Sequence, residues 1–97
     1  MLFAVLFEDN PDKAAERPRL LPQHLAFLQA QEGRVRAAGP LTDASGAGAG
    51  GLWLVEAASQ KEVEALVKAD PFWPSGLRKS YRVLQWNQVY TWSSTAP

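Results

Sequence analysis

The sequence predicts an α+β domain of the ferredoxin-like type, in which a four-stranded antiparallel sheet carries two helices on one face. The apolar pattern along the chain indicates strand, helix, strand, strand, helix, strand, with no internal repeat. A length of 97 residues leaves room for one domain. The composition, 46% hydrophobic and 21% charged, is typical of a folded globular protein.

The first strand and the first helix follow from the N-terminal third of the chain. Residues 2–7 are apolar at every position, which predicts a strand covered on both faces. Residues 8–19 contain prolines among charged residues and are expected to form a loop with at most one helical turn. A helix is expected over about residues 20–32, because Pro22 suits a first turn and Gly33 ends the apolar repeat.

A hairpin is predicted in the middle of the chain. Residues 34–41 alternate weakly and contain Gly39-Pro40, which indicates an edge position or a bulge. The glycine-rich residues 42–51 predict a flexible loop that leads into a strand over residues 52–57.

The second helix and the last strand complete the fold. Ser59 precedes Glu62 by three residues, the capping-box pattern that begins a helix. Asp70 ends this helix because Pro71 follows it. A long strand is expected over residues 81–90, so the domain covers residues 1–92 and a polar C-terminal tail covers residues 93–97.

Both faces of the predicted sheet are apolar, although two helices can cover only one of them. Leu52 and Leu54 oppose Trp53 and Val55 in the third strand. A monomer would expose a larger apolar patch than soluble proteins usually carry. We therefore expect a homodimer in which the uncovered faces pack together.

Charge and composition exclude several function classes. Ten basic and ten acidic residues give a net charge of zero, which disfavours nucleic acid and membrane surfaces as partners. Zero cysteines and a single histidine argue against thiol chemistry and a zinc site, and no nucleotide-binding motif occurs. We expect a cytoplasmic protein that uses no metal or cofactor and binds a small molecule.

Two residues could carry acid-base chemistry. His24 lies beside the apolar stripe of the first helix, and histidine is the side chain best suited to move protons near neutral pH. Asp70 follows Val63 by seven residues on the buried face of the second helix, where a lone carboxylate would be costly. Each also has an ordinary interpretation, because histidines often pack in cores and aspartate often ends a helix before proline.

Several segments in order resemble the YCII-related domain family, over about residues 1–92. They are Met1-Leu2-Phe3-Ala4-Val5-Leu6, Leu21-Pro22-Gln23-His24-Leu25, Ala38-Gly39-Pro40-Leu41 with Asp43 and Gly46, and Ala69-Asp70-Pro71-Phe72 with Gly76-Leu77. The resemblance implies a dimeric α/β-barrel and a small-molecule enzyme whose candidate catalytic residues match His24 and Asp70. Family sequences often have arginine where this chain has Leu21, whereas Arg17 matches another frequent basic position.

Two functions remain open at this point. The first is an enzyme without a cofactor that uses His24 as general acid or base in an elimination or isomerisation, with Asp70 orienting the imidazole. Arg17, Trp53, Phe72 and Trp73 are the candidate substrate-binding residues, since pockets for small molecules combine apolar walls with a few polar groups. The alternative is a non-catalytic module that binds a small metabolite in the same pocket.

Overall fold

The sheet has the strand order β2-β3-β1-β4, and every neighbouring pair is antiparallel. The computed structural model describes residues 1–92 of the chain, so the predicted tail at 93–97 lies outside the described residues. The elements are β1 (Leu2–Asp9), a short 3-10 turn (Pro11–Lys13), α1 (Glu16–Ala30), β2 (Val35–Thr42), β3 (Gly48–Glu56), α2 (Gln60–Ala69) and β4 (Arg78–Gln85). The predicted ferredoxin-like fold is confirmed.

The core lies between the sheet and the two helices. Alternate residues of β1 and β3 point into it, and α2 contributes one apolar face. The buried side chains of this core are Phe3, Val5, Phe7, Trp53, Val55, Ala57, Val63, Leu66 and Val67. Phe27 and Leu28 of α1 pack against the same cluster. Both helices therefore cover one face of the sheet.

The opposite face of the sheet has no covering element within residues 1–92. Its apolar side chains form what we call the open face, and cross-strand pairing aligns them in rows. The open face consists of Leu2, Ala4, Leu6, Leu52, Leu54, Leu84 and Trp86. Leu84 and Trp86 are 41% and 43% exposed. The predicted two-sided apolar sheet is therefore present.

Helix α1 begins at Glu16, earlier than the apolar repeat indicated. Its first turn is polar, so hydrophobic spacing does not reveal it. Pro18 is the third helical residue, where a missing N–H costs no intrahelical hydrogen bond. Pro22 lies inside the helix, not in its first turn as predicted. The predicted loop over residues 8–19 is thus short, because β1 also extends to Asp9.

Two strand boundaries also differ from the prediction. Strand β3 begins at Gly48, because part of the glycine-rich segment pairs with β2 instead of forming a loop. Strand β4 runs over residues 78–85 instead of 81–90. Its partner β1 begins at Leu2, whose carbonyl accepts from the Trp86 N–H at 2.8 Å, so no partner remains for later residues.

Strand β2 is an irregular edge strand, as Gly39-Pro40 predicted. Its pairing with β3 shifts register between Val35 and Ala37 and again between Pro40 and Thr42.

Within residues 1–92, the structure contains no helix with the length and hydropathy that a membrane span requires.

Candidate functional site

The fold brings His24 and Asp70 into direct contact. His24 Nδ1 lies 2.8 Å from Asp70 Oδ1, a hydrogen bond between residues 46 positions apart. Helix α1 directs His24 toward the sheet, where it is 6% exposed, and Asp70 at the end of α2 is 1% exposed. The two residues chosen from the sequence are therefore one buried pair.

The backbone around the end of α2 holds the Asp70 carboxylate in place. Asp70 is the C-cap residue and has extended backbone angles, as expected before proline. Its Oδ1 also accepts a hydrogen bond from the Phe72 N–H at 3.2 Å. The carboxylate is thus fixed by the turn that follows the helix, and its position does not depend on His24 alone.

The hydrogen bond to Asp70 determines the tautomer of a neutral His24. A carboxylate only accepts, so Nδ1 carries the proton and Nε2 has a free lone pair. Within residues 1–92 Nε2 makes no hydrogen bond, and His24 keeps a 6% exposed surface. The ring stacks on Phe72 with centroids 4.0 Å apart and an interplanar angle of 17°. His24 is therefore oriented with its basic nitrogen available.

An ion network continues from Asp70 toward the surface. Arg78 Nη2 lies 3.9 Å from Asp70 Oδ2, and Arg78 Nη1 lies 3.5 Å from Asp9 Oδ1. Arg17 Nη2 donates to Asp9 Oδ2 at 2.6 Å. The order His24, Asp70, Arg78, Asp9, Arg17 alternates acidic groups with basic ones and links both helices to β1 and β4.

Arg78 was not singled out from the sequence, and it is the most unusual member of this network. It is 7% exposed, and its guanidinium carbon lies 3.9 Å from the centre of the Phe7 ring. Desolvation lowers the pKa of Arg78, while the charges of Asp9 and Asp70 raise it. An arginine at the start of a strand gives no sequence signal. The pairing of Asp9 with Arg78 across β1 and β4 brings the arginine to the site.

A cavity of about 460 Å³ adjoins the outer end of this network. It lies between the start of α1 and the β2–β3 hairpin, and Asp9, Arg17, Thr42, Gly50 and Leu77 are among its lining residues. His24 does not line it. Because helical residues seven apart share a face at about 10 Å separation, His24 lies two turns further along α1 than Arg17. The cavity and the His24–Asp70 pair, referred to below as the dyad, are therefore neighbours, and the ion network connects them.

The four candidate substrate-binding residues have different environments. Arg17 lines the cavity. Trp53 and Phe72 are 1% and 0% exposed, so they support His24 from inside the core and do not line the cavity. Trp73 packs edge-on against Tyr81 at 5.3 Å. Substrate contact by these side chains stays a prediction.

Within the described residues, no group of three or more histidine and acidic side chains could hold a metal ion. We therefore assign no metal-binding role to the residues of the site.

The sequence is similar to known proteins over most of its length. Residues 1–87 match the model of the YCII-related domain. Two proteins named Protein YciI, from Escherichia coli O6:H1 and Shigella flexneri, are each 31% identical over 93% of this chain and 100% of their own length.

A solved structure gives a neighbour with an assigned activity. It is 5-chloro-2-hydroxyhydroquinone dehydrochlorinase (TftG) from Burkholderia phenoliruptrix AC1100, in complex with 2,5-dihydroxybenzoquinone. It superposes with a TM-score of 0.78 and 29% identity, over 90% of this chain and 94% of that one. The match over nearly the whole chain shows that this protein belongs to the YCII-related domain family.

Proposed function

We propose that the protein is a small-molecule enzyme that catalyses an elimination or isomerisation by general acid-base chemistry, without a metal or cofactor. The observation that carries the proposal is the buried 2.8 Å hydrogen bond between His24 and Asp70, which leaves Nε2 free to exchange a proton. The similarity to a dehydrochlorinase supports an enzyme of this class.

In the proposed reaction His24 is the catalytic base. Its Nε2 takes a proton from the substrate, and the Asp70 carboxylate stabilises the imidazolium that forms. In an elimination the leaving group departs with its bonding electron pair. In an isomerisation the imidazolium returns the proton to a different atom of the substrate. Asp70 is the residue that positions the ring throughout.

The proposed substrate is a small cyclic or carbonyl-bearing organic molecule. The cavity beside Arg17 and Asp9 is of the size that pockets for such ligands usually have. We propose that the substrate enters here, with a polar substituent at Arg17 and its reacting end toward His24. Phe72, stacked on the imidazole, keeps water from the inner side of the ring.

We also propose that the active form is a homodimer. The open face is an apolar surface on the side of the sheet opposite to His24, so a second copy could cover it without blocking the dyad. Burial of this face would remove Leu84 and Trp86 from water.

The test is turnover by the purified protein with a panel of hydroxylated and chlorinated aromatic compounds, including 5-chloro-2-hydroxyhydroquinone. Chloride release and ultraviolet absorbance are followed in the presence of a chelator. His24→Ala and Asp70→Asn should lose activity while keeping their circular dichroism spectra. Gln23→Ala, an exposed change one residue earlier on α1, is the matched control.

Three results would contradict the proposal. The first is full turnover by His24→Ala, and the second is activity abolished by chelator and restored by one metal. The third is saturable binding of panel compounds without any turnover, which would favour the non-catalytic binding module.

A further inference from the structure

We infer that Arg78 is a positioning residue that shares the Asp70 carboxylate with His24, so that the carboxylate stabilises a protonated imidazole less than it would alone. This inference rests on the proposed function, because it concerns how the same His24 is kept ready to accept a proton. It assigns a role to a side chain that does not contact the histidine itself.

The position of Arg78 supports this role. Asp70 has two carboxylate oxygens, and they face different partners: Oδ1 accepts from His24 and from the Phe72 N–H, while Oδ2 faces Arg78 Nη2 at 3.9 Å. A carboxylate that already neutralises one permanent cation stabilises a second cation less. Arg78 is permanently charged, so protonated His24 would be the second cation.

The residues around Arg78 fix the position of its guanidinium group. Its guanidinium carbon lies 3.9 Å from the Phe7 ring centre and 5.2 Å from that of Phe72. A Cβ atom added at Gly51 would lie 3.0 Å from Nη1, so the absence of a side chain there leaves the space that the guanidinium uses. The residue is 7% exposed, which limits screening of its charge by water.

Asp9 and Arg17 are the other charged groups of the site. Asp9 on β1 faces Nη1 at 3.5 Å, and Arg17 on α1 pairs with Asp9 at 2.6 Å. At Arg78 the attraction to Asp9 is stronger than the repulsion from Arg17. Arg17 also lies near His24, because its guanidinium carbon is 5.4 Å from the centre of the Phe72 ring that stacks on the imidazole. Arg17 is paired with Asp9, so Arg78 is the cation that faces Asp70 directly.

The experiment uses the fact that His24 is the only histidine of the chain. Its ring ¹H and ¹⁵N resonances can be followed without ambiguity as the pH is varied. Arg78→Met removes the charge and keeps an apolar chain between the aromatic rings. Arg78→Lys keeps the charge, and Lys79→Met removes an exposed charge from the next residue of β4.

We expect Arg78→Met to move the midpoint of the His24 resonance shifts upward in pH, as removal of a nearby like charge does. Arg78→Lys should move it less, and Lys79→Met should leave it unchanged. In all these variants the ¹⁵N shifts should still report a proton on Nδ1 in the neutral form. An unchanged midpoint in folded Arg78→Met would overturn the inference.

A second measurement on the unsubstituted protein covers the case in which Arg78→Met does not fold. The Arg78 Nε–H resonance should shift with the same midpoint as the His24 ring, and Asp70→Asn should abolish that common midpoint. An Arg78 Nε–H resonance whose chemical shift does not change over the pH range in which His24 titrates would overturn the inference.

The two proposals can fail separately. A His24 titration that responds to Arg78 in a protein with no turnover rejects the proposed enzyme and leaves the coupling intact. With a substrate in hand, the acidic limb of kcat against pH should move upward in Arg78→Met together with the NMR midpoint.

Discussion

Two aspartate substitutions, Leu54→Asp and Val5→Asp, test the two faces of the sheet separately. Leu54 lies on the open face and is half-buried, opposite Ala4 of β1. Val5 is the next residue of β1 and is 0% exposed on the helix-covered face. Sequence alone did not decide which of the two positions faces a partner, whereas the structure assigns the open face to Leu54.

The two substitutions should differ in magnitude and in kind. Val5→Asp loses about 1.5–3 kcal/mol of apolar burial. It also buries an unpaired carboxylate at a cost of several kcal/mol. Together these terms approach the whole stability of a small domain, about 5–15 kcal/mol, so this variant should not fold. Leu54→Asp leaves the monomer core intact, but each subunit would place a carboxylate inside the proposed interface.

Each of the two carboxylates costs about 3–5 kcal/mol when buried without a partner, and both together correspond to roughly 10⁴- to 10⁷-fold weaker dimerisation. Light scattering and sedimentation equilibrium at micromolar concentration measure this change, and circular dichroism reports the fold. The control is Leu25→Asp, because Leu25 is 51% exposed on α1 and lies away from the open face. A monomeric native protein, or a Leu54→Asp variant that stays as dimeric as the control, would refute the reasoning.

Three further outcomes are expected. His24→Ala should reduce turnover by about 10²- to 10⁴-fold in steady-state assays, the usual contribution of a positioned acid-base group, and a smaller loss would argue for a packing role. Gly50→Ala should destabilise the fold in thermal melts, because Gly50 has a φ of +84° and an added Cβ would lie 1.8 Å from the Phe7 carbonyl oxygen. Gly48→Ala is the control, since an added Cβ there would meet nothing within 4 Å. The Asp43 hydrogen bonds, first that from the Ser45 hydroxyl, lower the pKa of this carboxyl. The stability they contribute is present above the ordinary carboxyl pKa and is lost as pH falls through the lowered value, so Asp43→Asn should make stability less dependent on pH in that acidic range.

The order of elements could be predicted from the sequence because each strand and helix carries its own periodic apolar pattern. The boundaries of the elements could not be predicted in this way, because they depend on which other segments each element pairs with or packs against. Helix α1 starts at Glu16 with a polar turn, which hydrophobic spacing does not reveal. Strand β4 ends at Gln85, which pairs with Phe3 close to the first residue of β1.

The candidate site was partly predictable for a related reason. His24 and Asp70 are polar residues on apolar faces, which is a signal that a sequence displays directly. Arg78 precedes Lys79 in a charged segment and looks like a solvated residue. Arg78 is buried among groups from three separate parts of the chain: the Phe7 ring, the space left by Gly51 and the Asp70 carboxylate. No local sequence pattern predicts that these groups come together.

The irregularities of the sheet edges affect how the chain behaves at high concentration. On β2, Pro40 offers no N–H and the pairing register shifts twice, while β4 carries the exposed charges of Lys79 and Arg82. Both features hinder the addition of a further strand, which is how native sheets avoid fibrillar growth. Concentrated solutions should therefore resist ordered aggregation even though the protein exposes apolar side chains, because growth along the sheet is blocked at both of its margins.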